Sequence, residues 1–153
     1  MSPHLQRVIE TLLDAFLTGQ VSQAFEHTRD DPEPVQRALS FMRVQLDRDA
    51  ATPLALPDLA RAARVSPEHL CRLFREALDV GPMEAVRLSR LERAVTLLTR
   101  SNLNVEQVAR RCGFASPYHF SRVFKDVFGQ PPTIVRRNVA AGGAPPVSPL
   151  LRG

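Results

Sequence analysis

Apolar positions recur along this chain at the three-and-four spacing of amphipathic helices. Leu70, Leu73, Phe74 and Ala77 form one stripe, and Phe120, Val123, Phe124 and Val127 form another. Between them, residues 82–100 are rich in helix formers, with Val86, Leu88, Leu91, Val95 and Leu98 as a continuing apolar line. Near the start, Leu5, Val8, Ile9, Leu12, Leu13, Phe16 and Leu17 make a clean helical stripe that stops near Gly19, and residues 21–27 suit a second short helix. Asp30-Asp31-Pro32-Glu33-Pro34 reads as a linker or a helix start. The pattern predicts an all-α protein.

Two of these stripes belong to a repeat. Ser66-Pro67-Glu68-His69-Leu70-Cys71-Arg72-Leu73-Phe74-Arg75 is echoed by Ser116-Pro117-Tyr118-His119-Phe120-Ser121-Arg122-Val123-Phe124-Lys125. A Ser, a Pro, a His, an Arg, an apolar-Phe pair and a base stand at matching places, as expected of a duplicated unit. Leu59-Ala60-Arg61 precedes the first copy and Val108-Ala109-Arg110 the second, which has one more residue before its Ser. Each unit therefore predicts a short helix, a tight turn and a second helix, a helix-turn-helix layout. Ser suits the cap because its hydroxyl accepts from a free backbone N–H, and Pro at the first helical position lacks the N–H that would go unpaired. Ala60 and Ala109 allow close helix crossing. Gly113 supplies the positive φ that such a turn needs, whereas Arg64 stands in the corresponding place of the first unit. Its turn is either built differently or mildly strained.

With the apolar stripes turned to the core, the opposite faces carry Glu68, Cys71, Arg72 and Arg75 in the first unit and Tyr118, Ser121, Arg122 and Lys125 in the second, with His119 beside Tyr118. One exposed Arg is ordinarily just solvated. Two at equivalent repeat positions suggest base reading, since Arg donates a bidentate pair to guanine O6 and N7 in the major groove. Ser66 and Ser116 mark helix starts whose backbone N–H groups suit phosphate positioning. A 19-residue helix over 82–100 would span roughly 28 Å, close to the separation of about 34 Å between successive major-groove faces.

From about Pro34 to Arg137 the chain resembles the DNA-binding domain of AraC/XylS-type bacterial transcription regulators. The resemblance is densest over residues 108–125, Val-Ala-Arg-Arg-Cys-Gly-Phe-Ala-Ser-Pro-Tyr-His-Phe-Ser-Arg-Val-Phe-Lys, and continues through Phe128-Gly129-Gln130-Pro131-Pro132 to Arg136. It implies two helix-turn-helix subdomains joined by a long connecting helix, and base reading mainly by Glu68, Cys71, Arg72, Tyr118, His119 and Arg122. The family commonly has Gly where Arg64 stands and a longer polar residue where Cys71 stands. Regulation would follow from occupying a promoter site and contacting or excluding RNA polymerase, and the resemblance favours activation.

Charge follows the same division. Residues 34–137 hold 17 Lys and Arg against 10 Asp and Glu, whereas residues 1–33 hold 2 against 6, so positive charge is concentrated where phosphate would be met. A basic balance by itself would equally suit a membrane surface. No segment approaches the ~18 apolar residues of a membrane span, and no export signal is evident, so a cytoplasmic protein is expected. The two cysteines form no CxxC pair, and no Gly-rich phosphate loop, GxSxG elbow or HExxH motif occurs. Neither a metal, a cofactor nor a catalytic role is expected. Cys71 on the recognition face admits two readings, a small side chain fitting the groove or an oxidation-sensitive switch.

The expected organisation is thus an N-terminal amphipathic segment over 1–33, a double helix-turn-helix DNA-binding domain over 34–137 and a disordered Ala/Gly/Pro-rich tail over 138–153. The N-terminal segment either packs on the DNA-binding core or forms a homodimer or partner contact. The alternative to a two-site DNA reader is a protein-interaction module or non-specific DNA binder with one degenerate helix-turn-helix.

Overall fold

A computed structural model describes residues 31–144. Seven helices lie among them: α1 (Glu33–Arg48), α2 (Leu56–Ala63), α3 (Pro67–Leu78), α4 (Pro82–Arg100), α5 (Val105–Arg111), α6 (Pro117–Phe128) and α7 (Pro132–Ala140). The helical stripe expected at residues 5–17, the short helix at 21–27 and most of the tail lie outside the described residues. The described chain is all-α, and the helix predicted over 82–100 has those bounds. Helix α7 continues to Ala140, past residue 137 where the tail was expected to begin: residues 138–140 are helical. Asn138 Nδ2 there donates to Gln130 Oε1 at 3.1 Å.

The chain divides into two compact units, with the boundary between Leu88 and Ser89 inside α4. In the first unit, α1, α2 and α3 pack against one another. Their core holds Val35, Leu39 and Met42 of α1, Leu59, Ala60 and Ala63 of α2, and Leu70, Phe74 and Leu78 of α3, joined by Ala85 and Val86 from the start of α4. Leu73 and Ala77, expected in the core, are its half-buried margin. Sealing apolar surface of this kind contributes roughly 25 cal/mol per Å² removed from water, the dominant favourable term in a unit so small.

The second unit repeats the plan with a different filling. Val108, Ala109 and Cys112 of the α5 segment, Phe120, Val123 and Phe124 of α6, and Val135 of α7 are buried with Leu91, Val95 and Leu98 of α4. A row of rings runs under α6: Phe114 and Phe120 have centroids 5.1 Å apart, Phe120 and Phe124 5.5 Å, and Phe124 and Phe128 4.6 Å, all in tilted or edge-on geometry. Such pairs are favourable beyond their buried area because ring edges meet ring faces. The corresponding first-unit residues are Val65, Leu70, Phe74 and Leu78, so one core is aromatic where the other is mostly aliphatic.

Arg136 ties the ends of the second unit together. Its Nε donates to Leu98 O at 3.1 Å, and its Nη2 donates to Leu103 O. Leu98 lies in the last turn of α4, where carbonyls lack intrahelical donors, and Leu103 lies in the loop to α5. A cation at a helix C-terminus also meets the negative end of the helix dipole. Asn104 then opens α5 with a reciprocal cap: Gln107 N donates to Asn104 Oδ1 at 2.8 Å, and Asn104 N donates to Gln107 Oε1 at 2.9 Å.

Candidate nucleic-acid interface

Each unit ends its first short helix with the same hydrogen-bonded turn. In the first, Val65 N donates to Ala60 O at 3.2 Å and Arg64 N to Arg61 O at 3.1 Å; in the second, Phe114 N donates to Ala109 O at 3.0 Å and Gly113 N to Arg110 O at 3.1 Å. This pairing closes a helix C-terminus on a residue in left-handed conformation. Gly113 has φ 79° and Arg64 has φ 61°. Of the two readings left open for the first turn, strain is the observed one: the turn is built identically, and Arg64 bears the cost of a conformation that crowds its Cβ. The same substitution recurs at the next helix end, where Asp79 (φ 58°) stands for Gly129 (φ 75°). Ala60 and Ala109 are buried, consistent with close crossing.

Both reading helices begin as the sequence predicts. His69 N donates to Ser66 Oγ at 3.2 Å and His119 N to Ser116 Oγ at 3.0 Å, with Pro67 and Pro117 at the first helical position. Leu70 N and Phe120 N return to Ser66 O and Ser116 O. Each serine hydroxyl is therefore occupied as a cap. The first-turn donors left over are the N–H groups of Glu68 in α3 and Tyr118 in α6. The residue carrying that N–H is an acid in the first unit and an uncharged aromatic in the second.

Across the exposed face of α3 lie Glu68, Arg72 and Arg75, and across that of α6 lie Tyr118, His119, Arg122 and Lys125. Tyr118 is 79% exposed, an unusual position for an aromatic side chain on a folded surface. Cys71 and Ser121 occupy equivalent places and are only half-buried, less open than a fully outward face implies. Each follows the fully buried Leu70 or Phe120, and one residue of helix turns about 100°, which leaves a small side chain on the shoulder of the face. Phe114 flanks His119, with ring centroids 6.3 Å apart.

The sequence pattern singled out Glu68 but not the other acids on these faces, Glu76 and Asp126. Glu68, Arg72 and Glu76 follow one another at four-residue spacing on α3, and Arg72 Nε lies 3.9 Å from Glu76 Oε1. The matching α6 line is Tyr118, Arg122 and Asp126, and no ion pair joins Arg122 to Asp126 among the described residues. Around the helix-turn-helix entries, Arg61 pairs with Asp58 at 3.5 Å and Arg110 with Glu106 at 2.9 Å, while Arg64 and Arg111 are exposed.

Burial shifts a thiol and a carboxyl of the second unit. The Cys112 thiol is pushed up to about 12 by burial, against the opposing pull of Arg93 and Arg90, and stays protonated. The Glu92 carboxyl on α4 is pushed up to about 8 by burial. An exposed pair of Ser-capped helices bearing arginine, lysine and one open aromatic ring offers hydrogen-bond donors and cations to a polyanion.

A helix-turn-helix domain family model matches residues 59–138. The HTH-type transcriptional regulator GlxA of Rhizobium meliloti (strain 1021) is 46% identical over 100 residues, covering 65% of this chain and 31% of that protein. A crystal structure of an AraC-type transcriptional regulator from Chromobacterium violaceum is 31% identical with a TM-score of 0.65, covering 72% of this chain and 95% of the other. The DNA-binding domain of AdpA, solved in complex with a target DNA, is 26% identical with a TM-score of 0.63, covering 72% of this chain and 96% of the other. This chain spans about a third of the length of the curated relatives it matches.

Proposed function

Because the chain belongs to the AraC family of helix-turn-helix transcription regulators, we propose that residues 34–137 read a specific duplex sequence by placing α3 and α6 in successive major grooves. The observation that carries this reading is the equivalence of Arg72 and Arg122: each lies one turn into a Ser-capped helix, exposed, on the face opposite a sealed core. Arg72, Arg122 and His119 serve as donors to base edges, Glu68 accepts from cytosine N4, and Tyr118 offers apolar contact to a thymine methyl. Cys71 and Ser121 line the shoulder of each helix. Arg75, Lys125 and the helix starts at Ser66 and Ser116 hold phosphates and set register.

Occupying such a site in a promoter, the protein acts as an activator through contact with RNA polymerase, in the cytoplasm, where DNA and polymerase are found. Among the described residues no helix is long and apolar enough to cross a membrane. The segment 1–33 then serves either as packing for the DNA-binding part or as a homodimer contact. The carboxylates of α3 favour one feature of the alternative reading, unequal roles for the two units.

Selection of binding sites from a random duplex pool, repeated at two salt concentrations, tests the proposal. Two boxes about one helical turn apart in an asymmetric motif support two-helix reading by one chain. A palindrome would favour a homodimer, and salt-sensitive binding with no motif would mean that only phosphates are contacted, which refutes base reading.

A further inference from the structure

Resting on that DNA-reading function, we infer that Glu76 is a positioning residue that restrains Arg72, leaving α6 to anchor the protein on DNA and α3 to discriminate. The line Glu68, Arg72, Glu76 places one cation between two carboxylates a helical turn away on either side. Arg72 and Glu76 are both well exposed, 67% and 65% for their side chains, and lie 3.9 Å apart through Nε and Oε1. The guanidinium is therefore drawn along the helix, toward its C-terminal end. In α6 the equivalent positions hold Tyr118 and the shorter Asp126, and Arg122 has no ion-pair partner among the described residues.

Charge acts in the same direction. Glu68 and Glu76 balance Arg72 and Arg75 on α3, and Asp79 adds a negative charge at its C-terminal cap; α6 carries Arg122 and Lys125 against Asp126 and ends at Gly129. The first reading helix thus approaches a phosphate backbone with two fewer net positive charges than the second. An Arg that must leave Glu76 before it can donate to guanine rewards the right base and gains little from random duplex. Discrimination of this kind relies on a penalty built against wrong partners.

The test is a double-mutant cycle on the full chain, Glu76→Gln and Arg72→Ala singly and together, measured on the selected site and on random duplex. Glu76→Gln is expected to tighten binding about two- to fivefold, the range of an exposed ion pair, at least as much on random duplex as on the selected site, and to relax the preference for guanine at one position of the first box. In the Arg72→Ala background the same change should give no gain. Asp126→Asn, which removes an unpaired acid at the equivalent place, should leave the second box unaltered. An equal gain with and without Arg72 would show that Glu76 merely repels phosphate, and no gain in either would show the pair to be idle; both overturn the inference. A wild-type protein that selects no motif overturns the DNA reading itself, whereas a clear wild-type motif with an indifferent Glu76→Gln overturns only the role of Glu76.

Discussion

Replacing Arg136 by Ala removes a connection that no local interaction can substitute. The guanidinium donates to Leu98 O and Leu103 O, 38 and 33 residues earlier in the chain. Hydrogen bonds to a charged donor contribute about 1.5–3 kcal/mol each, and a cation at a helix C-terminus adds about 0.3–1 kcal/mol. Arg136 is half-buried, so water recovers part of the loss at the freed carbonyls. The expected destabilisation is about 2–4 kcal/mol, which at a urea m of about 1.5–2 kcal/mol/M lowers the unfolding midpoint by about 1–2.7 M. Arg136→Lys keeps the charge but cannot present two N–H groups in a fixed fork, so it should recover less than half of the loss. Urea titration followed by far-UV circular dichroism gives the midpoints. Amide exchange should show faster opening in α7 and at the end of α4, with little change in α1 to α3. The salt dependence of DNA binding should keep its slope, because no phosphate contact is lost. A midpoint within 0.3 M of the wild type, or a lysine variant equal to the wild type, would refute the argument that the forked pair closes this unit.

Four further outcomes follow from particular residues. Arg122→Ala should cost about 1–3 kcal/mol on the selected site and relax preference at one base pair; an equal loss on random duplex would mark Arg122 as a phosphate contact only. Arg64→Gly should raise stability by about 0.5–1 kcal/mol by relieving a left-handed Arg, and Asp79→Gly by less because Asp tolerates that region better; thermal melts lower than the wild type would show that side-chain contacts outweigh the strain. Glu92, pushed up to about 8 by burial, binds a proton in the folded state that the unfolded chain has already lost above its ordinary pKa near 4.5. Its contribution to stability therefore falls as pH rises from about 4.5 to 8 and levels off beyond. Glu92→Gln should accordingly be more stable than the wild type by about 1–2 kcal/mol near pH 7.5, once partial exposure is discounted, with the gap closing toward pH 4.5; parallel stability profiles would contradict the burial argument. Finally, a thiol reagent should modify the half-buried Cys71 in the native protein and leave Cys112 unmodified until unfolding, since the buried thiol, pushed up to about 12, has no thiolate to offer.

Much of this protein was legible from local pattern. The Ser-Pro starts at residues 66 and 116, the helix over 82–100 and the buried Phe74, Phe120 and Phe124 depend on interactions within a turn or two of helix: a hydroxyl reaching an N–H three residues on, or an apolar side recurring at the helical period. The repeat pointed to the same exposed faces on α3 and α6, because two helices built on one template turn equivalent residues outward. Helix α1 was not recognised apart from the ambiguous Pro-Glu-Pro start. Its buried positions Val35, Ala38, Leu39, Met42 and Leu46 keep the helical period, but the sequence has no copied partner to draw attention to them.

The tertiary structure decided what local spacing does not encode. Whether Arg64 would bend into the left-handed turn or avoid it depended on α2 and α3 having to pack at the angle that the turn sets, and packing outweighed roughly 1–2 kcal/mol of backbone cost. The role of Arg136 rests on carbonyls more than thirty residues away, and any exposed-looking arginine in the sequence would have served as well for a phosphate contact. The high pKa values of Glu92 and Cys112 come from burial, which only the packed chain creates. The pattern of side chains along one helix is set by 3.6 residues per turn and is therefore written in order along the sequence, whereas desolvation and long-range capping depend on which distant groups the fold brings together.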